Sequence, residues 1–181
     1  MRSRVAAGVV AVVVAVGLAG CSGAAPKPSP TPTPPFASAD AAYKAAEATY
    51  RGYVDALNKV QLDDPKTLSP LYAWLLGDAL ENDKRELTSM AAAHIRINGA
   101  SEVVAMKPVS GGDVRWGDVT LQTCLDVHRV TVTSASGQSL VEDDRPKVQS
   151  VIVTFSRDAG TSTGMRIVRM KPEDGGASCA Q

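Results

Sequence analysis

Asp126 and His128 stand two residues apart in an alternating stretch, and on a strand that spacing projects a carboxylate and an imidazole from one face. Such a pair can share a proton, which is the chemistry of a general acid and base. Parity argues against their facing a pocket. Val119, Leu121, Leu125 and Val127 make the apolar side, whereas Thr120, Gln122, Cys124, Asp126 and His128 make the other. A bulge before Val130, where the apolar parity switches, would turn them inward again. His94 closes a helical pattern and reads as a helix-terminal imidazole near the carbonyl ends, with a pocket-facing position as the alternative. No catalytic residue is assigned, and Asp126, His128 and His94 are kept as candidates. The chain has no Gly-x-Ser-x-Gly, Ser-x-x-Lys, Gly-x-x-x-x-Gly-Lys or His-Glu-x-x-His motif. Two histidines without carboxylates at ligand spacing predict no zinc site, and Glu142-Asp143-Asp144 before Arg145-Pro146 reads as a solvated loop lacking the calcium-loop pattern. No metal and no cofactor is expected.

The elements that must position these residues fall into two groups. Tyr43, Ala46, Tyr50, Tyr53, Val54, Leu57 and Val60 recur at steps of three and four, predicting a helix over residues 40–62 capped by Asp40 or Ser38 and stopped by Asp63-Asp64-Pro65. Ser69-Pro70 predicts an N-cap and first helical position for a short helix through Leu71, Trp74 and Leu75. Gly77 interrupts it, and Asp78 starts a third helix whose stripe is Leu80, Leu87, Met90 and His94. Tyr43, Tyr50, Tyr53 and Trp74 read as core aromatics, with pocket lining as the alternative. After the turn at Asn98-Gly99 the period becomes alternating, predicting strands over 103–109, 119–132, 147–156 and 165–170. Helices first and antiparallel strands afterwards predict an α+β domain with the helices covering one face of a curved sheet.

Ahead of that domain the composition changes twice. Arg2 and Arg4 precede an uncharged run from Val5 to Leu18 that is short for a membrane span of ~20 residues, which predicts a signal peptide with an uncleaved anchor as the alternative. Leu18-Ala19-Gly20-Cys21 resembles the bacterial lipobox. The resemblance implies cleavage before Cys21, a diacylglyceryl thioether on its sulfur, palmitate-type acyl chains, and anchoring at the outer, extracytoplasmic face of the bacterial cytoplasmic membrane. Residues 22–39 hold six of the eleven prolines and read as an extended tether, at ~3.1 Å per residue, without fixed packing. A proline-rich ligand for another domain is the alternative, but no arginine anchor flanks it. The domains are thus 1–20 signal peptide, 21–39 lipidated cysteine and linker, and 40–181 folded domain.

Charge and cysteine usage agree with that placement. Nineteen basic side chains balance nineteen acidic ones, and removing residues 1–20 takes away two arginines, leaving a mildly acidic chain. With aromatics at 4% and no basic field, nucleic acid is excluded as an expected partner. If lipid takes Cys21, Cys124 and Cys179 have only each other, and an oxidising compartment makes a disulfide the natural assignment. Free thiols or a redox pair are the alternatives, without a Cys-x-x-Cys to favour them.

The element order, Cys124-Leu125-Asp126 in the long strand and a lone Cys179 near the end resemble exported actinobacterial lipoproteins of the nuclear transport factor 2-like superfamily, the cystatin-like cones, over residues 40–180. That resemblance implies three helices on a strongly bent sheet around a conical pocket. The superfamily holds isomerases, dehydratases and cyclases beside members without chemistry, so fold alone does not choose. The expectation is a membrane-anchored domain that binds a ligand or scaffolds a cell-envelope partner without turnover, the ligand being unidentified. A small-molecule isomerase-, dehydratase- or cyclase-like enzyme and a homodimer or envelope complex built on the open sheet face are the rival readings.

Overall fold

The computed structural model describes residues 32–109, 111–173 and Cys179. The expected signal peptide, Cys21 and most of the expected tether lie outside the described residues. A compact unit spans Thr33–Gln181. It is an α+β fold with helices first: α1 (Ala39–Leu57), α2 (Leu68–Tyr72) and α3 (Gly77–Ala92). Strands follow, β1 (Arg96–Asn98), β2 (Glu102–Pro108), β3 (Val119–Asp126), β4 (Thr131–Thr133), β5 (Val148–Arg157) and β6 (Met165–Glu173). Two antiparallel sheets result, a four-stranded one in the order β2-β3-β5-β6 and a two-stranded one pairing β1 with β4.

Helix α1 begins where Ser38 accepts the Ala41 N–H at 3.1 Å, satisfying one of the orphan donors of its first turn. It buries Ala42, Ala46, Thr49, Tyr50, Tyr53 and Val54. The chain before it is also engaged. Phe36 packs against the core and its N–H donates to the Arg115 carbonyl, so the end of the proline-rich stretch has fixed packing, contrary to the composition-based expectation. The helix ends at Leu57 and not at Leu62. The Asn58 amide donates to the Ser101 carbonyl and accepts the Ser101 N–H, both at 2.9 Å, and this pair of bonds holds the chain at the exit turn.

The second helix starts earlier than Ser69. Asp64 accepts the Lys66 N–H and caps a short 3-10 turn, Pro65–Thr67, with proline at its start; α2 continues from it, so Ser69 is no cap and Pro70 lies inside the first turn. Gly77, at φ +56°, opens α3 where an interruption was expected. The segment just before it is stitched to β6: the Leu76 N–H donates to the Ile167 carbonyl and the Ile167 N–H to the Trp74 carbonyl.

The predicted strand 119–132 is broken. The His128 N–H turns back to the Asp126 side chain, the Val130 N–H donates to the Val127 carbonyl, and Arg145 Nη2 donates to both the Val127 and Val130 carbonyls at 2.8 Å. A turn with its carbonyls occupied cannot extend the ladder, so the chain beyond it pairs with β1 in the second sheet. On β3 the odd face is the core face: Val119 and Leu121 are fully buried among Val153, Phe155, Met165 and Ile167, together with Leu71 and Leu75 from the helical half. Cys124 points the other way and is bonded to Cys179, with Cα atoms 5.7 Å apart.

Candidate functional site

Tyr50, Tyr53 and Leu57 follow one another at helical steps of three and four, so α1 presents them on one side. Helix α3 presents Ala79, Asn82, Asp83, Glu86 and Met90 by the same spacing, and Leu125, Gln149, Val151, Met170 and Pro172 come from β3, β5 and β6. These side chains, with Arg85 and Ser89, enclose a cleft of about 820 Å³. Its walls are aromatic, aliphatic and thioether. Its polar groups are mostly at the mouth, where Asn82, Arg85, Glu86, Ser89 and Gln149 are exposed.

Asp83 is the most buried of the charged side chains in that wall. Its Oδ2 accepts the Tyr53 hydroxyl at 2.9 Å, and Tyr53 stacks beside Tyr50 with ring centroids 6.1 Å apart and planes 28° from parallel. Burial pushes the Asp83 carboxyl up to about 6; the negative charge of Glu86 adds to this, and the Tyr53 hydrogen bond works against it. Burial, reinforced by Asp83, holds the Tyr53 hydroxyl well above its ordinary range. Burial also raises Tyr50, with the Thr123 hydroxyl as a partial offset. Near neutral pH the cleft therefore carries one carboxyl group able to take or give a proton. The lining contains no histidine, cysteine or lysine, and its one serine, Ser89, lies exposed at the mouth with no imidazole beside it.

The sequence-derived candidates scatter. Tyr50 and Tyr53 line the cleft. Tyr43 is half-buried against the core outside it. Trp74 lies across Gly52, where a Cβ would stand 2.5 Å from the indole ring, and lines a separate groove with Lys59, Lys66, Thr67 and Pro70. His128 Nδ1 and Asp126 Oδ1 are 2.7 Å apart, so the two do meet, but at the strand end and away from the cleft lining. The same carboxylate oxygen accepts the His128 N–H, and that bond is the first reason the Asp126 carboxyl lies below its usual range, the imidazole being the second. The pair closes a turn. His94 sits just past α3 with φ +53°; its N–H donates to the Ala91 carbonyl and the Ile95 N–H to the Met90 carbonyl, the two bonds of a Schellman cap. That is a helix-terminal role outside the cleft. Cys21 lies outside the described residues, and among the described residues no cluster of three or more His, Cys, Asp or Glu is placed to hold a metal.

Asp83, the residue that gives the cleft its chemistry, is absent from the sequence-derived candidates. A signal for it existed. Leu80, Leu87 and Met90 are the stripe of α3, and Asp83 is three residues after the first and four before the second, which places a carboxylate on the apolar face. No protein family, curated protein or solved structure matches the chain.

Proposed function

We propose that the chain is an exported lipoprotein, anchored through Cys21 at the outer face of a bacterial membrane, whose domain holds a small, largely apolar ligand in the cleft between α1, α3 and the sheet. The observation that carries this reading is the cleft itself: about 820 Å³, with aromatic and aliphatic inner walls, one partly buried carboxyl and further polar groups at its mouth, a build suited to a small molecule. The α+β order and the antiparallel sheet are compatible with a nuclear transport factor 2-like cone, and the Cys124–Cys179 disulfide suits an oxidising compartment. Binding without turnover is preferred because the lining has no histidine or lysine to activate its exposed Ser89.

One observation favours a second reading. A carboxyl pushed up to about 6 and bonded to a buried tyrosine is suited to general acid–base work on a bound molecule. The two readings separate in one experiment. Protein purified from its native membrane is extracted and the released small molecules are identified by mass spectrometry, in parallel with Ser89→Trp, which fills the exposed mouth from α3. One compound, near-stoichiometric and absent from the variant, supports binding. Conversion of that compound on incubation with the protein would replace binding by catalysis, and no compound distinguishing the two proteins would sink the cleft as a ligand site.

A further inference from the structure

Resting on the reading of the cleft as a ligand site, we infer that its ligand class is an apolar amine, bound as the ammonium with its N–H groups on the Asp83 carboxylate and its hydrocarbon part between Tyr50, Tyr53 and Met170. The geometry leaves one half of the carboxylate for a ligand. Oδ2 is taken by the Tyr53 hydroxyl, and no group among the described residues donates to Oδ1. An ionised carboxylate is acceptor-only, so the group that completes it must be a donor. A cationic donor also offsets the cost of keeping that charge partly out of water.

The groups around Asp83 can be taken element by element. Helix α1 contributes the hydroxyls of Tyr50 and Tyr53, and the nearby Tyr72 of α2 is neutral, its hydroxyl raised by burial and by Asp83. Helix α3 contributes Glu86 and Arg85, whose guanidinium donates to its own helix neighbour, Asn82 Oδ1, at 2.6 Å; the adjacent Lys84 lies outside the lining, over the Tyr72 ring and paired with Glu81. The sheet side, Leu125, Gln149, Val151, Met170 and Pro172, is uncharged. Two carboxylates against one guanidinium leave the lining net negative when Asp83 is ionised, and the stacked tyrosine faces add favourable ground for a cation. A fatty acid presents the wrong charge to this wall.

Three probes with the same tail test the head group: octylammonium, 1-octanol and octanoate, titrated calorimetrically into the full chain. At about pH 7.5 octylammonium should bind about tenfold more tightly than 1-octanol, the worth of one charged hydrogen bond, with octanoate weakest. Lowering the pH to about 5, below the carboxyl's value of about 6, should shrink that preference several-fold as Asp83 takes a proton. Asp83→Asn should abolish the ammonium preference at both pH values, whereas Glu81→Gln, which removes an equal charge on the exposed side of the same helix, should keep it. Equal binding of the three probes, or a preference for octanoate, overturns the amine assignment and leaves the cleft a ligand site. Failure of all three to bind overturns both.

Discussion

Asp83 holds its proton more tightly in the folded chain than out of it, because burial works against the charged form. Its folded value of about 6 exceeds the ordinary 3.8, so between the two the native state binds more protons, and stability falls as pH rises through that window and stays lower above it. Asp83→Asn keeps an oxygen for the Tyr53 hydroxyl and removes the ionisation cost. At about pH 7.5 the variant should be more stable by about 1 kcal/mol, after allowing for solvent at a partly exposed carboxylate, and should melt about 2–4 °C higher. Near pH 4 the gain should vanish. Thermal unfolding of both proteins at the two pH values checks this, and an unchanged or lower melting temperature at the higher pH contradicts the burial of Asp83. At this scale the sequence was legible for Tyr50 and Tyr53, whose spacing sets them on the buried side of α1. For Asp126 and His128 the parity of β3 argues against a pocket-facing pair, and the two stand outside the cleft lining; that they close a turn at the strand end was not legible, because spacing on one strand does not show where the strand stops.

The elements show where local signals ended. The alternating pattern continues through Val127, Val130 and Val132, yet the strand stops at Asp126. Arg145, eighteen residues away from Val127 in the chain, occupies the two carbonyls of the turn, and no local pattern could disclose that. The start of α1 shows the opposite case, a segment that composition reads as free and the fold uses. Phe36 lies against Gly164 and the core, and Ser38 caps the helix. A chain beginning at Asp40 loses both, a cap worth about 1 kcal/mol and a half-buried phenyl group worth about as much again. It should therefore melt about 5 °C below a chain beginning at Ser22, by the roughly 2–4 °C per kcal/mol of a domain this size. Equal melting temperatures would show that the contacts of Phe36 and the Ser38 cap contribute nothing.

Over the whole molecule, element order and the odd-even parity of β3 were readable because burial of one sheet face imposes them on the residues themselves. The disulfide joins positions 55 residues apart, and closing a loop of that length restrains the unfolded chain by about 4 kcal/mol on the chain-entropy view. It also ties Cys179 to the sheet face opposite the core, leaving the α1–α3 side for the cleft. The cleft itself was hidden from the sequence, since it is assembled from α1, α3 and three strands and each contributes only one to seven of its side chains. That cleft is the centre of the account, and the methionines report on it directly. Met90 and Met170 line it, whereas Met106 and Met165 are set in the core outside it. In methyl-labelled methionine NMR, titration with 1-octanol should shift Met90 and Met170 saturably and leave Met106 and Met165 in place. Saturable shifts at Met106 or Met165 instead, or none at Met90 and Met170, would contradict a ligand site between the helices and the sheet.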